Sequence, residues 1–113
     1  NASAPIAQQI LAEAQQIQGL LQATDMLVCL HDRGKTYSTE QFAEQLNKWQ
    51  SSSVKRIIFL IGGSYGLDKL ILDRSHAQLS LSAFTFPHQL VRLVFTEQLY
   101  RAFTVLANEK YHH

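Results

Sequence analysis

The sequence predicts an α/β domain, a mostly parallel sheet with helices on both of its faces. Two observations carry that prediction. Met26-Leu27-Val28-Cys29-Leu30 and Ile57-Ile58-Phe59-Leu60-Ile61 are short, continuous apolar runs, the form strands take when both faces are covered. Around them apolar residues recur at helical spacing, so helix and strand alternate along the chain and the strands connect by right-handed crossovers. A length of 113 residues supplies one hydrophobic core and not two, and residues 1–113 read as a single domain.

The elements follow in order. Ser3 is a candidate N-cap with Pro5 in the first turn, and Ile6, Ile10, Ala14, Ile17 and Leu21 then fall on one face, which predicts an amphipathic helix over 4–22. The run 26–30 is the first strand, stopped by a polar turn at Asp32-Arg33-Gly34-Lys35. Ser38-Thr39-Glu40-Gln41 has the spacing of a capping box, with Phe42, Leu46 and Trp49 on one side of a helix to about Gln50. Ser51-Ser52-Ser53 is a loop too short to link domains, and 57–61 is the second strand. Gly62-Gly63-Ser64-Tyr65-Gly66 turns sharply into a short helix carrying Leu67, Leu70 and Ile71 and ending at Arg74. Gln78 to Ser82 alternates polar and apolar side chains as a third strand. Pro87 opens a long last helix that runs to about Ala107, with Asn108 as its stop.

Composition excludes several classes. Apolar residues at 46% and charged residues at 17% are ordinary globular usage, and no apolar run approaches the roughly 18 to 20 residues that span a bilayer. A net charge of +1 lacks the wide basic footprint of a duplex-wrapping protein, so any nucleic-acid contact is local. Cys29, the single cysteine, sits in an apolar run as a core residue; no disulfide frame is possible, which suits a reducing cytoplasm. The first residues carry no secretory signal, and the absent initiator Met suggests a truncated or processed start.

In an open parallel sheet a ligand sits beyond the carboxyl ends of the strands, where loops and helix N-termini converge. Here those ends are Leu30-His31-Asp32-Arg33-Gly34-Lys35, Gly62-Gly63-Ser64-Tyr65-Gly66 and Ser82-Ala83-Phe84-Thr85-Phe86-Pro87-His88. The glycines match neither GxGxxG nor GxxxxGK[ST]; they either admit a flat ligand to the backbone or simply allow a positive φ in the turn. His88, in the first turn of the last helix, is either a base or a structural histidine, and the helix dipole favours its neutral ring. The five histidines show no HxxxH or HExxH spacing and one cysteine builds no thiolate site, so no metal is expected. Ser64, Ser80 and Ser82 lack a GxSxG elbow. Glu97 and Arg101 are spaced as a surface ion pair, and Lys110-Tyr111-His112-His113 is either a base-stacking tail or a frayed end or tag remnant. The last helix has a wider apolar arc than one buried side needs, which predicts a homodimer through it.

LHDRGK (30–35), FLIGGSYGL (59–67), LSLSAFTFPHQLVR (79–92), EQLYRAF (97–103) and YH (111–112) together resemble the ribosomal large-subunit methyltransferase H family, a small branch of the SPOUT methyltransferases. The resemblance implies a C-terminal trefoil knot, a homodimer, S-adenosylmethionine bound in the knot, and methylation of N3 of a pseudouridine in 23S ribosomal RNA. Carried over residue by residue, it makes Leu30, Gly62, Leu81, Ser82, Ala83, Phe84, Thr85 and Phe86 cofactor contacts. Arg92, Arg101, Tyr111 and His112 become candidates for the RNA side, with the tail of one subunit completing the pocket of the other. His113 stands where the family usually has Lys or Arg. For the chemistry, His88 or His112 assists loss of the N3 proton while Arg101 stabilises developing charge. The low net charge makes the assembled ribosome, rather than free RNA, the expected partner. Family members begin with a strand, a helix and a further strand, and this chain starts at the helix after them. Two rival readings follow: a non-catalytic dimeric fragment that keeps the cofactor pocket, and a generic nucleotide-binding α/β domain.

Overall fold

The computed structural model describes residues 3–62, 66–82, 84 and 86–111, with side chains described within 5–108. Four helices and three strands alternate: α1 (Ser3–Leu20), β1 (Asp25–Thr36), α2 (Thr39–Gln50), β2 (Arg56–Ile61), α3 (Lys69–Arg74), β3 (Ala77–Ser80) and α4 (His88–Tyr111). The sheet has the order β2-β1-β3, with both pairings parallel. No helix among the described residues is long and apolar enough to cross a membrane.

The two-residue period of a strand divides the core into two layers. Met26, Val28 and Leu30 of β1 face α2 and α4, packing with Phe42, Ala43, Leu46, Trp49, Phe95 and Ala102. Leu27 and Cys29 face the other way, onto Ala14 of α1 and Ile71 of α3. β2 divides in the same manner, Ile57, Phe59 and Ile61 to one layer and Ile58 and Leu60 to the other. The α2/α4 layer is aromatic at its centre, where the Phe59 and Phe95 rings lie 4.9 Å apart. Cys29 is wholly buried, the core residue its apolar run predicts, and burial pushes its thiol up to about 11.

Local signals set the helix starts. Ser38 Oγ accepts from the Gln41 amide at 3.1 Å and Gln41 Oε1 accepts from the Ser38 amide at 3.0 Å, the reciprocal capping box the spacing predicts. Asp68 caps α3 by accepting from the Leu70 amide at 2.9 Å. The Pro87 carbonyl accepts from the amides of Leu90 and Val91, so Pro87 sits just before the first residue of α4.

Several boundaries differ from the sequence expectation, each for a physical reason. Ser3 is the first residue of α1 rather than its cap. The same helix ends at Leu20, not 22, because the Asp25 carboxylate accepts the Gln22 amide at 2.8 Å and draws the chain into β1. The polar segment 32–35 is no turn: β1 runs on to Thr36, and Leu30 and Lys35 both stand opposite Leu79, leaving 31–34 as a bulge. β3 starts at Ala77 and stops at Ser80 instead of spanning 78–82, since Ser80 Oγ donates to the Ser82 carbonyl at 2.9 Å and bends the chain. α4 passes through Asn108 to Tyr111; no non-glycine among the described residues has positive φ, so Asn108 does not adopt the left-handed conformation a stop requires.

Candidate functional site

Because all three strands are parallel, their carboxyl ends open on one side of the sheet. There a cleft of about 660 Å³ lies between the start of the β1 bulge, where β1 leaves β2, the ends of β2 and β3, and the first turn of α4. Leu30, His31 and Asp32 come from β1, Ile61, Gly62, Gly66 and Leu67 from the β2 end, and Ser80, Leu81, Ser82, Phe84, Phe86 and Pro87 from the β3 end, while His88 and Val91 supply the α4 wall.

Each wall has a local cause. A Cβ on Gly62 would come within 3.0 Å of the Gly66 carbonyl carbon and the Leu67 side chain, so the β2 loop folds back tightly over a missing side chain. The positive φ expected of the Gly-Gly pair belongs, among the described residues, to Gly66, at 85°. At β3, the Phe84 amide donates to Ser82 Oγ at 3.0 Å, a serine turn that carries the chain from the strand toward α4. Phe84 and Phe86 are both exposed. On the β1 bulge, His31 Nδ1 accepts from the Arg33 amide at 3.0 Å and stands 3.2 Å from Asp32 Oδ1.

The cleft is sparingly charged. Its described lining has one carboxylate, Asp32, two imidazoles, His31 and His88, and no lysine or arginine. Among the described residues no group of three His, Cys, Asp or Glu side chains converges. The lining joins apolar side chains to the Ser80 and Ser82 hydroxyls, in a volume within the usual range of about 300–1,000 Å³ for a small-molecule site.

Leu30, Gly62, Leu81, Ser82, Phe84 and Phe86 thus meet in one cleft, with His88 beside them. Gly63, Ser64, Tyr65, Ala83, Thr85, His112 and His113 lie outside the described residues, and for Tyr111 only the helical backbone is described. Arg92 and Arg101 are exposed on α4 and do not line the cleft. Arg101 follows His88 by 13 residues, about 20 Å along a helix at 1.5 Å per residue, so one chain does not bring the two together. Arg101 Nε donates to Glu97 Oε1 at 2.9 Å, the ion pair expected from their spacing, and this bond holds the Glu97 carboxyl below its ordinary value. His31 and Asp32 belong to the first of the three loops expected to form the crevice and line it as expected, although no individual role was assigned to either.

A family model described as "Predicted SPOUT methyltransferase" matches residues 1–112. The chain is 49% identical over 106 residues to a protein of Flavobacterium johnsoniae named ribosomal RNA large subunit methyltransferase H, covering 94% of this chain and 68% of that one. A protein of the same name from Christiangramia forsetii is 48% identical with the same coverage. One from Lawsonia intracellularis is 40% identical over all 113 residues and 72% of its own length.

Proposed function

The chain belongs to the SPOUT methyltransferases, in their ribosomal RNA large subunit methyltransferase H branch, and from that membership we propose that it transfers a methyl group from S-adenosylmethionine to N3 of a pseudouridine in 23S ribosomal RNA. The proposal includes the family's trefoil knot, a homodimer, and the assembled cytoplasmic ribosome as the partner. The observation that carries the cofactor half is the meeting of the β1 bulge with the ends of β2 and β3 in one cleft, lined by six of the eight expected contacts.

Electrostatics separates this reading from a generic nucleotide site. Triphosphates call for cations or a phosphate-cradling loop, whereas the described lining has no lysine or arginine and one carboxylate. That balance suits a ligand that is neutral or cationic at its reactive end.

The bound cofactor supplies an electrophilic methyl group on a positively charged sulfur. The protein's part is to align N3 with it and to receive the proton N3 loses as its bond to carbon forms. His88 lines the cleft and takes that proton, with His112 the second candidate. Arg92 and Arg101 hold the RNA, Arg101 reaching a cleft from the second subunit.

Calorimetric titration with S-adenosylmethionine, with adenosine triphosphate as the control, tests the cofactor assignment; selective binding of the former is expected, and equal binding of both overturns it. Methylation of ribosomes lacking the modification, read as nucleoside mass, tests the acceptor. His88→Ala is expected to slow transfer by about 10²-fold or more, as loss of a general base does, and wild-type turnover in both His88→Ala and His112→Ala removes histidine from the mechanism.

A further inference from the structure

The cleft holds a charge that methyl transfer as described leaves unused. Asp32 is the single carboxylate of its described lining, and no lysine or arginine lines it. His31 Nδ1 stands 3.2 Å from Asp32 Oδ1 and accepts from the Arg33 amide, and among the described residues no lysine or arginine pairs with Asp32. Nor is Asp32 on a loose loop. The bulge that bears it packs through Gly34 against β3, where an added Cβ would stand 2.6 Å from the Gln78 carbonyl carbon and the Leu79 nitrogen.

A methyl donor of the sulfonium class and its demethylated product share every part except the transferred methyl and the charge on sulfur. Contacts to the adenine, ribose and amino-acid ends therefore bind the two alike, and discrimination falls to a group that reads the charge. We propose that Asp32 is a specificity-determining residue that makes the cleft prefer the cationic donor over the neutral thioether product, thereby favouring product release after each transfer. It acts through charge and touches no reacting atom. The inference rests on the cofactor assignment above. Because the Asp32 side chain is 68% exposed, its field acts through a nearly aqueous dielectric, where unit charges about 4 Å apart alter an affinity about fivefold.

The test is calorimetric titration of the parent chain, Asp32→Asn and Asp32→Glu with S-adenosylmethionine and with S-adenosylhomocysteine. The ratio of the two dissociation constants is expected to shift about fivefold toward the product in Asp32→Asn, to be restored in Asp32→Glu, and in the parent to shrink with added salt. An unchanged ratio in Asp32→Asn, or equal losses for both ligands, overturns the proposal while leaving the cofactor assignment intact. A parent chain that binds neither ligand overturns the assignment and this inference with it. Thermal melts confirm that the substitutions, made at an exposed side chain, leave the fold in place.

Discussion

Single atoms at glycine positions decide much of the cleft. Gly34 is required by contact rather than by dihedral freedom, since its φ is not positive and an added methyl would meet β3 backbone at 2.6 Å. Backbone yields less readily than a side-chain end, so Gly34→Ala is expected to destabilise the fold by about 2 kcal/mol, the middle of the range for overpacking, and to weaken cofactor binding by displacing His31 and Asp32. Gly19, in the last turn of α1, has nothing within 4 Å of its absent Cβ; Gly19→Ala is expected to stabilise by about 0.5 kcal/mol through helix propensity. Urea denaturation of the two variants checks both signs, and a neutral Gly34→Ala refutes the close packing of the bulge on β3. The sequence showed Gly34 as part of a turn, because a glycine among polar residues looks the same whether it bends a loop or lies flat on a neighbouring strand.

At the scale of elements, the sheet is pinned at the end opposite the cleft. Asp25 and Arg56 stand side by side in the β1–β2 register, and the buried carboxylate accepts from Arg56 Nε at 3.0 Å and Nη2 at 2.7 Å. Arg74, at the end of α3, donates to the carbonyl of Gln22, so α1, β1, β2 and α3 meet at this point. The Arg56 hydrogen bonds, followed by the Gln22 amide, lower the Asp25 carboxyl from 3.8 to about 2. A folded-state value below the unfolded one stabilises the protein fully above pH 3.8, and that contribution is lost as pH falls toward about 2. Asp25→Asn is therefore expected to be less stable than the parent at pH 7, with the gap narrowing between pH 4 and 2; a gap constant across that interval, measured by denaturant midpoints, refutes the assignment. Two continuous apolar runs, one alternating stretch and apolar residues at helical spacing made all seven elements legible, along with the capping box at Ser38 and Gln41. What they did not reveal was non-local: the Asp25 clamp, the bulge that extends β1, and the serine turn that ends β3 all depend on a neighbour distant in sequence or on a side chain redirecting the backbone. The convergence of Leu30, Asp32, Gly62, Leu81, Ser82, Phe84 and Phe86 was legible because segments that follow the apolar runs of a parallel sheet share a side, whereas the bulge that holds Asp32 there was not.

At the scale of the whole molecule, the chain is less compact than its length allows. Its radius of gyration is 15.5 Å, against about 13 Å for a compact domain of this size, and α4 contributes 24 residues to that extension. One side of α4 is spent on the core through Phe95 and Ala102; on the other, Leu93 and Tyr100, seven residues apart, are 67% and 74% exposed, with Leu90 and Phe103 also exposed. Glu97 and Arg101 pair beside that stripe. In the homodimer proposed above a second copy covers this stripe and Arg101 acts at the cleft of the other subunit, its own His88 lying about 20 Å away along α4. Sedimentation is expected to show a dimer whose melting temperature rises with protein concentration, and Leu93→Glu with Tyr100→Glu to yield a monomer that still binds the methyl donor but transfers no methyl. Mixing separately inactive His88→Ala and Arg101→Ala chains should recover about a quarter of parental transfer, since half of random dimers are mixed and each mixed dimer has one intact site of two. A parent that sediments as a monomer at every concentration removes the interface, whereas a dimer whose mixed variants recover nothing keeps the interface and confines catalysis to residues of one chain.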